Sequence, residues 1–194
     1  CVLVASPERA AAFAGREGVV VQTREEFLAA ARSGATAAPE WSMDAEDIAV
    51  LLFTSGTTGV PKAAILRQKH LVSYILGSVE FCSAAEEDAA LVCVPPYHVA
   101  GIAAVLSSVY SGRKVVQLAN FTPEAWLELA RRHQVSNAFV VPTMLARIVE
   151  ALDGAVSAQL PRLRAISYGG GKMPLAVIER AMTLFPGTDF TNAY

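Results

Sequence analysis

The chain has 194 residues with 16 basic and 18 acidic side chains, a formal charge of -2, and no basic run, which excludes nucleic acid as an expected partner. With 53% hydrophobic and 18% charged residues it carries enough apolar surface for a buried α/β core, which excludes a disordered chain. The three cysteines, Cys1, Cys82 and Cys93, have no CxxC spacing and an odd count, so no disulfide framework is expected and a reducing, cytoplasmic setting fits. The apolar runs are short and broken by charge, Gly or Pro, so neither a membrane span nor a signal peptide is expected. A start at Cys1 without Met and an end at Tyr194 give the expectation of a piece of a longer protein.

In chain order, residues 1–5 and 18–22 read as short strands. Thr23 then reads as an N-cap, with Glu25 and Glu26 in the first turn of a helix ending near Gly34. Residues 33–41, rich in small and polar residues with Gly34 and Pro39, read as a linker. This divides the chain into a peripheral strand–helix part with its linker, 1–43, and an α/β subdomain, 44–194. The near-continuous apolar run 48–54 predicts a strand covered on both faces. Residues 68–81 have helical character, and 91–94 form a strand closed by Pro95 and Pro96. A helix over 102–110 ends at Gly112, and a strand follows over 115–118. Thr122, Pro123 and Glu124 supply a cap, a first-turn proline and an acid for a helix reaching about Gln134. A strand over 137–141, a helix from Pro142 to Leu152, a strand over 163–168 and a helix from Pro174 to about Phe185 complete the pattern. Strand and helix alternate, so the expected fold class is α/β, a mostly parallel sheet with helices on both faces.

Between the strand 48–54 and residue 62 lies Thr54-Ser55-Gly56-Thr57-Thr58-Gly59-Val60-Pro61-Lys62. Glycines let backbone N–H groups approach an anion, hydroxyls donate further hydrogen bonds, and the lysine brings a mobile positive charge. Gly56 to Lys62 has the spacing of the nucleotide-binding pattern G-x-x-x-x-G-K-[ST]. Pro61 replaces its second glycine and removes a backbone donor, and Ala63 replaces its metal-binding hydroxyl. A solvated surface turn remains the bland alternative.

The nine residues closely resemble the phosphate-binding motif of the adenylate-forming superfamily, which includes acyl-CoA synthetases, aryl-acid ligases, luciferases and adenylation domains of peptide synthetases. The family usually has Gly after the lysine, where this chain has Ala63. Two further segments resemble the family. Val94-Pro95-Pro96-Tyr97-His98-Val99-Ala100-Gly101 is similar to the segment bordering the carboxylate site. Tyr168-Gly169-Gly170-Gly171-Lys172-Met173-Pro174 is similar to the adenine-side segment, at a strand end where α/β sheets place ligands. The final Thr191-Asn192-Ala193-Tyr194 looks like the start of the motif whose tyrosine packs on adenine. The resemblance covers about 45–194 and implies the central part of a large N-terminal domain, with the family's small C-terminal domain and its lysine absent and the 194 residues inactive alone.

The resemblance implies a reaction. A carboxylate attacks the α-phosphate of ATP with Mg²⁺, giving acyl-AMP and pyrophosphate, and the acyl group then passes to a thiol, most often that of coenzyme A. Thr54, Ser55, Gly56, Thr57, Thr58, Gly59 and Lys62 would hold ATP, with Thr54 also a candidate near the metal. Gly169, Gly170, Gly171 and Tyr194 would bind the adenosine side. Tyr97, His98 and Gly101 would border the substrate, with Lys62 and His98 as the catalytic candidates. Amino-acid-activating members carry an Asp in the segment near His98, whereas the segment 95–110 of this chain has no acidic residue, so a fatty or aryl acid is expected. Ala100, Gly101, Ala103 and Ala104 leave room for a bulky acid or are helix-packing positions, and Tyr97 lines the pocket or packs in the core. Transfer to a carrier protein, and a non-catalytic nucleotide-binding module, are the alternatives. Lys62→Ala in the full-length enzyme is expected to weaken ATP or pyrophosphate binding, read by pyrophosphate exchange; unchanged exchange kinetics would remove Lys62 from that role.

Overall fold

The computed structural model describes residues 2–34, 42–54, 62–95 and 97–193. The predicted residues 55–61, Pro96 and Tyr194 lie outside the described residues, as does most of the predicted linker. The chain divides into two compact units, Cys1–Met43 and Asp44–Tyr194.

In the first unit, β1 (Val2–Ala5) pairs in parallel with β2 (Val20–Thr23). Between them lies α1 (Pro7–Ala11), a helix the sequence reading did not anticipate, although Ser6 at its N-cap and Pro7 at its start are ordinary helix-opening residues. Helix α2 (Arg24–Arg32) opens on a capping box. Thr23 Oγ1 accepts from the Glu26 amide at 3.2 Å, and Glu26 Oε2 accepts from the Thr23 amide at 2.7 Å.

In the second unit, β3 (Ile48–Thr54) corrects the expectation of a strand covered on both faces. It pairs antiparallel with β4 (Lys62–Arg67), Thr54 opposite Lys62 and Leu52 opposite Ala64. Phe53 is 70% exposed, and Ile48, Leu51 and Ile65 are exposed as well. The connection 55–61 is too short for the crossover of a dozen or more residues that a parallel pair needs, so the chain returns as a hairpin. The apolar run resembled a central parallel strand because a two-stranded ribbon and a buried strand share the same residue preferences. Helix α3 (Gln68–Ser78) follows.

The main sheet has five strands, all parallel, in the order β6-β5-β7-β8-β9. They are β5 (Ala89–Val92), β6 (Lys114–Gln117), β7 (Asn137–Val140), β8 (Ala165–Tyr168) and β9 (Asp189–Asn192). The last of these was not anticipated. It is short and mostly polar, and joins the sheet by pairing Phe190 with Ile166 of β8. Between the strands run α4 (Val99–Ser111), α5 (Pro123–Arg132), α6 (Pro142–Ala151) and α7 (Leu175–Leu184). The expected stop at Gly112 and start at Thr122 hold, while α4 opens three residues earlier than expected, at Val99. Gly112 caps α4 in the left-handed conformation (φ 77°), and Thr122 Oγ1 accepts from the Ala125 amide at 3.1 Å.

Helices cover both faces unequally. Helices α5, α6 and α7 pack side by side, while α4 packs on β5 and β6. Along β5, Leu91 joins the core beneath α5–α7, and Ala90 and Val92 turn toward α4. That core is centred on the fully buried Trp126, Leu145, Ile148, Ile166 and Leu184. Trp126 meets Phe185 edge-on, ring centroids 6.3 Å apart.

The N-terminal edge of the sheet is fastened by polar groups. The buried Ser136 hydroxyl accepts from the Ala89 amide at 3.2 Å and donates to Asn137 Oδ1 at 2.8 Å. The Ser136 carbonyl accepts from the Arg164 amide at 2.8 Å, tying β7 to β8. Asp88, buried just ahead of β5, accepts from the Arg164 guanidinium and from the Ala85 amide. Burial pushes the Asp88 carboxyl up, but the Arg164 hydrogen bond and charge, the Ala85 amide and the Ser136 hydroxyl outweigh it and hold the group below its ordinary value. A depressed folded-state value contributes stability that is present above the unfolded value and lost as pH falls through the folded one. Asp88→Asn is therefore expected to lower stability at pH 7 by about 1–3 kcal/mol. Its urea midpoint should approach that of the wild type as pH falls below about 4. Trp fluorescence during unfolding measures both, and a gap independent of pH would contradict the ion pair's part.

Candidate functional site

Strand order reverses once in the sheet. From β5 the chain goes to β6 on one side, and from β7 it goes to β8 and β9 on the other. Ligands of open parallel sheets bind at such a switch, beyond the carboxyl ends of the strands. Here a cleft of about 740 Å³ opens between α4 and the sheet face that α5–α7 do not cover. Its floor includes Ala90, Val92, Phe139 and Ser167, and its wall includes Ala100, Ala103, Ala104 and Ser107 of α4.

The mouth of the cleft brings together residues far apart in sequence. His98, the N-cap of α4, lines it with Pro95, Gly169, Gly170 and Ala193. The backbone fixes His98: its amide donates to the Pro95 carbonyl at 3.0 Å, and its carbonyl accepts from the Gly101 and Ile102 amides. Its ring lies 5.0 Å from that of Tyr97, tilted by 46°. Tyr97 itself is 71% exposed and does not line the cleft.

The small residues of α4 divide between the two roles left open by the sequence. Ala100, Ala103 and Ala104 face the cleft. Gly101 is buried and does not, because a Cβ there would stand 2.4 Å from the Pro95 carbonyl oxygen. Its lack of a side chain lets the first turn of α4 lie on the end of β5. Gly169 is a similar case, a Cβ there coming 2.8 Å from the Ala193 carbonyl oxygen where β8 and β9 end together. Gly170, at φ 83°, turns the chain away, and Gly171 lines a second hollow of about 520 Å³ with Tyr168, Met173 and Asn192. The glycine run thus separates two spaces at the carboxyl ends of β8 and β9.

Lys62 begins β4 opposite Thr54 and lines neither space. The side chain of Thr54, residues 55–61 and Tyr194 lie outside the described residues. Sequence reasoning missed the cleft-facing Phe139, Ser167 and Asn137. The signal was available in the two-residue period of β7 and β8, which puts Asn137 and Phe139, and Ala165, Ser167 and Gly169, on one face. It also passed over Arg113, just beyond the Gly112 cap, which lines the cleft at its inner end. Cys93, just past the end of β5, is buried, its Sγ 3.4 Å from the Phe139 carbonyl oxygen and 3.8 Å from Met144 Sδ. Burial pushes its thiol up to about 11, so it stays protonated and unreactive at neutral pH.

A parallel α/β domain with its ligand space at the switch point and a glycine run at the adjoining strand end is the architecture of a nucleotide-dependent enzyme domain. The chain belongs to the AMP-binding enzyme family, whose model matches residues 3–194. It is 33% identical over 139 residues to a 2-succinylbenzoate–CoA ligase of Bacillus licheniformis, covering 71% of this chain and 28% of that protein. It is 30% identical over 160 residues to a feruloyl-CoA synthase of an Amycolatopsis species, covering 80% of this chain and 32% of that protein. Among solved structures, o-succinylbenzoate Coenzyme A Synthetase from Bacillus subtilis, in complex with ATP and a magnesium ion, superposes with a TM-score of 0.68 at 28% identity, over 89% of this chain and 34% of that one. The chain thus spans a third or less of the length of these proteins.

The close approach at Gly101 makes a direct test of the mouth. Gly101→Ala is expected to cost about 1–3 kcal/mol, because the new methyl meets backbone rather than a side chain that can swing away. Urea unfolding measures the loss, and a neutral substitution would show that α4 and the end of β5 are not held this closely.

Proposed function

We propose that the whole protein activates a carboxylic acid with ATP, releasing pyrophosphate, and transfers the acyl group from acyl-AMP to coenzyme A. The observation that carries this reading is the sequence Thr54-Ser55-Gly56-Thr57-Thr58-Gly59-Val60-Pro61-Lys62 on a chain whose matched relatives bear the names of CoA ligases. The cleft fits the acid. Among the described residues its lining is mostly apolar and includes no carboxylate, so none of them would pair with an ammonium on the substrate. A fatty or aryl acid therefore suits it, with its carboxylate toward His98 at the mouth.

The residues present also fit ATP. The space beside Tyr168, Gly171 and Met173 offers a partly apolar lining and a glycine backbone to a base. Thr54, Ser55, Gly56, Thr57, Thr58, Gly59 and Lys62 would take the phosphates through hydroxyls, backbone N–H groups and one ammonium. Among the described residues no three His, Cys, Asp or Glu side chains come together. Thr54 is the candidate for a hydroxyl contact near Mg²⁺, a hard cation that would take oxygen ligands. Bound ATP supplies an α-phosphorus for attack, and Mg²⁺ neutralises charge on the phosphates. The chain's part is to set the acid and the phosphates in line and to stabilise developing charge. His98, placed by three backbone hydrogen bonds at the head of α4, is the side chain that would orient the carboxylate. The Tyr97 ring lies beside the His98 ring, centroids 5.0 Å apart.

No helix among the described residues is long and apolar enough to cross a membrane. We place the enzyme in the cytoplasm, on the strength of its cysteine pattern and the phosphorylated co-substrates it would use. Acid-dependent exchange of labelled pyrophosphate into ATP tests the first step, and thioester formation with CoA tests the second. Exchange and thioester are both expected with apolar acids. His98→Ala is expected to lower exchange by about 10²-fold. Exchange with an amino acid but not with any fatty or aryl acid would overturn the substrate class, and acyl-AMP passing to a holo-carrier protein but not to CoA would replace the acceptor.

A further inference from the structure

Arg113 has no role in the reading so far, and its setting is unusual. It lies directly after the Gly112 cap of α4 and directly before β6, and it lines the inner end of the cleft. Its Nε is buried without a hydrogen-bond partner, and no ion pair joins its guanidinium to another described residue. Buried donors of native proteins are nearly always satisfied, so an orphaned one facing a cavity marks a place for an acceptor from outside. The neighbouring groups do not fill that need. The Ser107 and Ser108 hydroxyls both donate to the Ala104 carbonyl of their own helix, at 3.3 and 2.7 Å.

The backbone holds Arg113 in place. Its amide donates to the Ser108 carbonyl at 2.7 Å, and the left-handed Gly112 fixes the turn from helix to strand. The position along the sheet is informative as well. Ala90 and Asn137 are paired neighbours at the level of the inner end, whereas Pro95, His98 and Gly169 stand at the mouth. Four to five residues of strand separate the two levels, roughly 13–17 Å at the rise of a parallel strand. Between them the surface is mostly apolar, Ala90, Val92, Phe139, Ala103 and Ala104, with the Ser167 hydroxyl beside Phe139. The cleft is thus a mostly apolar channel with a guanidinium at its inner end.

We propose that Arg113 selects an acid carrying a second anionic group at the end remote from the activated carboxylate, a dicarboxylic acid of fatty or aryl body. This rests on the acid-activating reading above and sharpens its substrate class. A guanidinium presents paired N–H donors that match a carboxylate in two-point geometry, and in a largely apolar cleft that pairing discriminates strongly against a substrate lacking the anion. A plain fatty acid leaves the Nε donor of Arg113 unsatisfied.

The test uses the chain itself and two acids of equal length, octanedioate and octanoate, titrated by ligand-observed NMR at pH 7.5. Wild-type chain is expected to bind octanedioate about tenfold or more tightly than octanoate, with the advantage shrinking as salt is raised. Arg113→Gln is expected to bring the ratio near one while leaving octanoate binding in place, and Arg113→Lys to keep part of the preference. If Arg113→Gln does not fold, as judged by circular dichroism, the wild-type ratio and Arg113→Lys decide the matter. Equal affinities in the wild type, or a preference that survives Arg113→Gln, overturn the role of Arg113 and leave acid activation standing. Binding of neither acid overturns both the role of Arg113 and the assignment of the cleft to the acid, whereas the acid-dependent exchange assay judges the activating reaction separately.

Discussion

The reversal of strand order between β5 and β7 is the constraint on which the second unit depends. Crossovers between parallel strands are right-handed, so a change in the direction of travel across the sheet moves the connecting helix to the opposite face. The step from β5 to β6 carries α4 to one face, and the three steps that follow carry α5, α6 and α7 to the other. One face is therefore closed by three helices around Trp126, Leu145 and Leu184, and the other is covered, among the described residues, by α4 over β5 and β6, with Tyr74 of α3 at the cleft. The cleft is what remains of the less covered face. It follows from topology, and the identities of the residues along it decide only what it holds.

The two edges of the sheet answer different demands. At the amino end, Asp88, Ser136 and Arg164 tie three strands together with buried or half-buried hydrogen bonds. At the carboxyl end the chain uses missing side chains instead. Gly101 lets α4 settle against the Pro95 carbonyl, and Gly169 lets β8 end against Ala193. Polar fastening at that edge would have occupied the backbone groups and the space a ligand needs. Glycine brings the backbone together without filling either.

Much of this was legible in the sequence because the residues concerned act locally. The Thr23–Glu26 capping box, the Thr122 cap and the Gly112 stop each depend on atoms within a few residues of one another. The alternation that follows Asp88 gave the parallel α/β class for the same reason. What stayed hidden depends on partners. Nothing local distinguishes β3, an exposed ribbon strand, from a central strand, and β9 is a strand only because β8 lies beside it. The site was legible in part. His98, Gly169 and Gly170 line one mouth, Gly171 lines the neighbouring hollow, and Gly101 packs against the Pro95 carbonyl. Phe139, Ser167 and Arg113 belong to no motif and enter the site through strand pairing and the turn after α4.

Arg113 shows how a composition argument and a placement argument complement each other. The lack of an acidic residue in 95–110 makes a substrate ammonium costly, and from that segment alone the acid is expected to be apolar. Arg113 stands three residues past the segment's end, beyond the Gly112 turn, where a motif scan does not look. The fold returns it to the same cleft and leaves its Nε without an acceptor. Among the described residues the wall carries no anion and the inner end carries a cation, which fits the proposal that the charge complement of this site comes from the acid. Selectivity would then divide between two ends, with the carboxylate to be activated near His98 and the remote group read by Arg113. The apolar length between them acts as the ruler.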